Sequence, residues 1–149
     1  MASTENLQNF DPSEHGWAVQ EDHGFIDLVG PFWRKTTTGN RYRYGFSADP
    51  RHVNLLSVVQ GGMLMTFADR AMGLGAWTAA DGAPCATVQF SAQFASGGKI
   101  GSFLEIEPVV IRKTASLVFM SGSVTQGDEV VLQAHGTWKI LERSGKGSS

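Results

Sequence analysis

Residues 61–80 are the one long stretch of this chain that lacks period-two alternation, and they are apolar almost all round. A helix of that character is stable in water only when protein covers nearly all of its surface. The rest of the chain supplies strands to cover it. Tyr42, Tyr44 and Phe46 alternate with Arg41, Arg43, Gly45 and Ser47. Val88, Phe90, Ala92 and Phe94 alternate with Thr87, Gln89, Ser91 and Gln93. Val130, Leu132, Ala134, Gly136, Trp138 and Ile140 alternate with residues between them. Each pattern predicts a strand with one buried face. Ser116 to Thr125 is a further strand, joined to the last by a turn at Gln126–Glu129. Gly101 to Lys113 is another, in which Pro108 marks an edge or a bulge. Phe25 to Lys35 reads as extended, broken at Gly30–Pro31. The expected order is β-β-α-β-β-β-β. A single antiparallel sheet of about six strands must curl around the helix to bury it, which is an α+β architecture.

The termini read differently. The first 27 residues hold six acids and no Lys or Arg, and nothing in them resembles the apolar stretch of a signal peptide. Residues 1–22 are therefore expected to be a flexible acidic arm, 23–142 one domain, and 143–149 a flexible tail. Met63 to Ala80 is long enough to weigh as a membrane span. Asp69, Arg70, Thr66, Gly73 and Gly75 within it, and a mean hydropathy of −0.11, argue against that. A net charge of −2 excludes the basic excess of a nucleic-acid binder. With Cys85 as the sole cysteine there is no internal disulfide, and the expected location is the cytoplasm.

Asp69 stands within the apolar helix. An ionised carboxylate loses its hydration on burial, so an Asp there needs a partner or a function. Its own helical face carries Gly62, Met65, Thr66, Met72, Gly73 and Ala76, several of them small. Two readings stay open: an acid at a solvated patch or subunit contact, paired with an Arg from elsewhere, or a reactive carboxylate. Upstream lies Gln60-Gly61-Gly62. Glycines entering a helix admit a ligand close to free N–H groups, which can hold a carbonyl oxygen that becomes negative during reaction. The pair equally fits a capping box at Ser57–Gln60, or tight packing alone.

The segment Arg51-His-Val-Asn54, Gln60-Gly-Gly62 and Ala68-Asp69-Arg-Ala-Met-Gly73 resembles the signature of hotdog-fold acyl-CoA thioesterases of the phenylacetate-pathway type. That family has Asn, then His-Gly-Gly six residues on, then Asp nine residues after the His. The likeness runs from about Gly24 to Leu141 and includes Gly30-Pro31-Phe32, Thr87-Val88 and Arg112 to Phe119. It implies a long helix wrapped by a curved sheet, and a hydrolase that needs neither metal nor redox cofactor. Asp69 would be nucleophile or general base, and the Gly61 N–H would polarise the thioester carbonyl. Asn54 would position substrate or water, with Thr87 assisting from the facing strand. The site would lie between two subunits, Asp69 from one and the Asn54–Gly61 loop from the other, in a homodimer that pairs further into a tetramer. Gly62 would border the substrate, and Arg112, Lys113 and Lys99 are the candidates for the coenzyme A phosphates, ordinary solvated strand-end residues being the alternative.

The chain departs from the family at Gln60, where the family has His. Gln exchanges hydrogen bonds but does not titrate near neutral pH. Two readings follow: a thioesterase, or a catalytically weak or inactive acyl-CoA-binding protein. A third, a hydratase or dehydratase, needs a His paired with the acid. His15, His23, His52 and His135 show no metal-ligand spacing, and His52 reads as a surface or loop residue, a place near the active-site entrance being the alternative. Ile100 after Gly97-Gly98-Lys99 excludes a phosphate-binding P-loop.

Overall fold

The computed structural model describes residues 10–142. In chain order its elements are β1 (Ala18–Gln20), α1 (Phe25–Val29), β2 (Phe32–Thr36), β3 (Tyr42–Ser47), α2 (Gly61–Ala79), β4 (Cys85–Phe94), β5 (Phe103–Ile106), β6 (Val109–Lys113), β7 (Leu117–Gln126) and β8 (Glu129–Ile140). The sheet is antiparallel and runs β1-β2-β3-β5-β7-β8-β4, with β6 also on β7. The unalternating segment is the long helix. Phe67, Ala68, Met72 and Ala76 of α2 are fully buried against Leu104, Ile106, Val118, Met120, Leu132 and Trp138 of the strands. Each large side chain so buried stabilises the fold by about 2 kcal/mol. No helix among the described residues is long and apolar enough to cross a membrane.

The strands number eight rather than about six, for two reasons. Gly101–Lys113 is divided at Glu107–Pro108, so β5 and β6 lie in line along one flank of β7. Proline has no N–H to give the ladder there. The second reason is β1, which lies within the expected arm. Its residues pair with β2, and Trp17 just before it is buried edge-on to Phe103 at 5.0 Å. Asp22 takes a 2.5 Å hydrogen bond from Arg70 of α2. Residues 10–22 thus pack on the body, while residues 1–9 and the expected tail at 143–149 lie outside the described residues.

Phe25–Val29 is helical, not extended. Nothing local to α1 requires this, since its N-cap Gly24 makes no side-chain cap and none of its residues is buried. The cause is distant. The carbonyls of Leu28 and Gly30 accept from Arg51 at 2.8 and 2.6 Å, and that of Val29 accepts from His52 Nε2 at 2.7 Å. These are the orphan acceptors of a helix end, satisfied from more than twenty residues away. The capping box at Ser57–Gln60 does not form. Ser57 sits in a turn at φ 66°, and Gln60 is itself the N-cap of α2, its Oε1 accepting from Met63 N–H at 3.2 Å.

Candidate active site

Gly73, one turn beyond Asp69, explains where the acid goes. A Cβ there would meet Trp138 Nε1 at 3.1 Å, so glycine lets α2 lie close over β8. Trp138 pairs in register with Thr87 on the next strand, β4. Half-buried Asp69 thereby reaches the sheet, and Thr87 Oγ1 donates to its Oδ1 at 2.7 Å. Strict alternation would have turned Thr87 away from the face that carries Phe90 and Ala92. A bulge at Val88 shifts the phase, leaves Val88 57% exposed, and aims Thr87 at the helix. Neither an arginine nor any other cation is paired with Asp69 among the described residues, because Arg70 points to Asp22. With Oδ1 held by Thr87, Oδ2 is the oxygen left to meet a substrate or water.

The second group of candidates lies at the start of α2. Asn54 Oδ1 accepts from Leu56 and Val58 N–H at 2.8 and 3.2 Å, closing a tight loop whose tip exposes Leu55 and Leu56. Its oxygen is thus committed, and its NH2 is the part that can face a ligand. Gln60 N–H donates to His52 O, and its Oε1 takes the Met63 N–H. The N–H groups of Gly61 and Gly62 have no partner among the described residues, and both glycines are accessible. They are free donors at the positive end of a helix dipole.

Asn54, Gln60, Gly61 and Gly62 therefore form one cluster, and Asp69 and Thr87 another. One chain does not bring the two together. Eight residues of helix put Asp69 about 12 Å from Gly61.

Beside the first cluster, Asp49, Arg51 and His52 make a closed network. Arg51 Nε and Nη2 donate to the two Asp49 oxygens at 3.1 and 2.9 Å. Asp49 N–H donates to His52 Nδ1 at 3.0 Å, so Nε2 carries the proton given to Val29 O. The Arg51 guanidinium holds the Asp49 carboxyl below its ordinary 3.8. A depressed carboxyl pKa contributes stability above the unfolded value that is lost as pH falls through the folded one. The protection of the Gly30 amide, whose N–H closes α1 onto Ile26 O, relative to its intrinsic exchange rate should fall below about pH 4 ahead of global unfolding. Protection that changes only with the whole fold would refute a local role. Under this network an open groove of about 430 Å³ runs from Phe25 and Val29 to Gln60 and Gly62.

The remaining candidates lie apart. Lys99 bridges to Val58, beside the Asn54 loop. Arg112 and Lys113 are exposed on β6. Lys113 lies in the row Lys113, Val118, Trp138, Thr87, three strand spacings or about 14 Å across. His52 is buried, not a surface loop residue. Burial pushes the Cys85 thiol up, which disfavours the thiolate. A smaller cavity of about 190 Å³ between Tyr44, Gly75 and Pro108 lies on another side of α2, and there burial pushes the Tyr44 phenol to about 12. Among the described residues no three His, Cys, Asp or Glu side chains cluster to hold a metal.

The sequence profile of the thioesterase superfamily matches residues 56–133. A Pseudomonas aeruginosa protein named "Putative esterase PA0474" is 26% identical over 116 residues, which cover 77% of this chain and 87% of that protein. The BH2602 protein from Bacillus halodurans, whose crystal structure is with CoA, superposes with a TM-score of 0.73 at 19% identity, covering 83% of each chain. A mutant of phenylacetic acid degradation protein PaaI from Thermus thermophilus gives 0.70 at 18% identity, covering 78% of this chain and 98% of that one. These structural likenesses establish the hotdog fold.

Proposed function

The chain belongs to the thioesterase superfamily, and on that premise we propose that it hydrolyses an acyl-CoA thioester to the free acid and coenzyme A. The observation that carries this reading is the Thr87–Asp69 hydrogen bond, which fixes one carboxylate oxygen and leaves the other for the substrate or water. The thioester carbonyl accepts from Gly61 N–H, with the Asn54 NH2 alongside. Asp69 Oδ2 takes the proton of a water that adds to the carbonyl carbon, or adds to that carbon itself. Negative charge gathers on the carbonyl oxygen and is held by the N–H at the helix end. The carbon–sulfur bond then breaks, and the thiolate of coenzyme A leaves and is protonated; on the nucleophilic route this leaves an Asp69–acyl anhydride, which water cleaves to the free acid and the Asp69 carboxylate. Thiolate is a good enough leaving group that this chemistry runs on the chain's own side chains.

Such a site needs two subunits, because Asp69 and Gly61 of one chain are too far apart for one carbonyl. The surface supports a dimer. β4 has β8 on one side only, and Val88 and Phe94 on it are 57% and 53% exposed. Leu55 and Leu56 stand out from the loop beside Gly61. Long apolar edges of this kind are normally covered. Exposed Val109, Val110 and Ile111 on β6 offer a second surface, on which dimers pair into tetramers. Lys99 and the Arg112–Lys113 pair would hold phosphates of coenzyme A, and the free thiol of Cys85 is in keeping with a cytoplasmic location.

Binding of acyl-CoA without turnover is the second reading, and Gln60 is the observation behind it. Its Oε1 takes the Met63 N–H, and its Nε2 is left to turn to a ligand. That group donates a hydrogen bond but does not relay a proton. The two readings separate on steady-state CoA release across phenylacetyl, hydroxybenzoyl, short, medium and long acyl-CoAs. Hydrolysis predicts release well above the uncatalysed rate for at least one of them. Saturable binding with no release on any would replace it with the binding reading.

A further inference from the structure

We propose that α1, pinned beside the start of α2 by Arg51 and His52, is the wall of the acyl pocket, and that Phe25 and Val29 set which acyl groups enter. This rests on the thioester reading above and adds the substrate class. Five residues do not make a helix that stands alone. Yet the carbonyls of Leu28, Val29 and Gly30 at its end are all tied to two side chains, which Asp49 in turn holds. Core packing holds only one face of α1, through Ile26 and Val29, while Phe25 and Leu28 remain 60% and 70% exposed. What the network does secure is the width of the groove under it.

The chemistry of that groove is specific. Its walls are Phe25 and Val29 on one side, with Val53, Met63 and Thr66 on the other. Thr66 returns its hydroxyl to Gly62 O at 2.8 Å, so it adds no free donor. The Arg51 charge is offset by Asp49 at 2.9 Å, so no bare cation invites a second carboxylate. One end of the groove reaches Gln60 and Gly62, beside the position given above to the thioester carbonyl. A groove with Phe25, Val29, Val53 and Met63 along it, beginning at a carbonyl site, suits an uncharged hydrocarbon or aryl acyl group. At about 430 Å³ it lies toward the small end of ligand pockets, which favours compact groups over long chains. Acyl groups ending in a carboxylate should be disfavoured, because the groove offers them no uncommitted cation.

Phe25→Ala and Phe25→Trp test this without endangering the fold, since the ring is mostly exposed. The measurements are kcat/KM for butyryl-, phenylacetyl-, decanoyl- and succinyl-CoA, and affinities for the corresponding non-hydrolysable S-alkyl-CoA thioethers. Widening the groove should raise the decanoyl-to-butyryl ratio about tenfold, and narrowing it should lower the ratio by a similar factor. Arg51→Ala should move the ratio in the Phe25→Ala direction, and Arg51→Lys should return part of it. Ratios unchanged within about twofold in both Phe25 variants would overturn the proposal while leaving hydrolysis intact. So would a preference for succinyl-CoA, or a weakened dimer with unaltered ratios, which would make the groove a subunit contact. If the native protein hydrolyses none of the esters, the thioether affinities still read the groove, and the hydrolytic reading alone fails.

Discussion

Replacing Asp69 with Asn is expected to lower kcat by about three orders of magnitude while the protein stays folded and still binds its ligand. The asparagine has nearly the same shape, and its Oδ1 can still accept from Thr87 as the carboxylate does at 2.7 Å. Asp69 is half-buried and has no ion pair among the described residues, so removing its charge leaves no cation stranded. What the amide cannot do is take a proton from water or attack a carbonyl. The loss should therefore fall on kcat, with the affinity for an S-alkyl-CoA thioether held within about threefold and Tm within a few degrees. Single turnover in 18O-water adds the finer distinction. Product acid lacking the label would mark Asp69 as nucleophile, since its own oxygen would have been transferred. A fall in kcat below about tenfold would return Asp69 to the other sequence reading, an acid at a solvated patch or subunit contact.

How much of this was legible in the sequence depends on how local each cause is. α2 could be placed because an apolar run without alternation has only one stable solution in water, and β3 and β8 because their period of two is plain. Pro108 marked its own interruption. α1 was hidden because its helix ends on donors from Arg51 and His52, and no window around Phe25 contains them. β1 was hidden because three residues are too few to show a period. For the candidate site, the resemblance named Thr87 where periodicity pointed the wrong way. Alternation across Thr87–Phe94 puts Thr87 on the outer face, and only the bulge at Val88 reverses it. A bulge is a property of the pairing between β4 and β8, so one strand's sequence does not carry it. His52 was misread for a related reason. Its ring is buried by what it holds together, not by its own polarity. Gln60 is the converse case: a departure visible in the sequence, whose local consequence, a cap on Met63 N–H, appears only in three dimensions.

Gly61→Pro is the cleanest way to remove the other half of the proposed site. Proline deletes the N–H and is welcome at the first position of a helix. Gln60 already has φ −60° and ψ 135°, the extended conformation required before a proline. A Cβ at this position meets the Phe94 ring at 3.1 Å, but that ring is 53% exposed and can turn aside. The helix should survive, and the loss of one oxyanion donor should reduce kcat about 10²–10³-fold. The variant becomes decisive when mixed with Asp69→Asn. Were Asp69 and Gly61 to act within one chain, no combination of the two inactive proteins would recover activity. In a two-fold dimer that shares its sites, each mixed dimer holds one site with both groups intact and one with both missing. Random exchange at equal amounts makes about half of the dimers mixed, so turnover should rise to about a quarter of the native value. That rise, from two proteins each nearly inert, requires the roughly 12 Å between the two clusters to be closed by a second subunit.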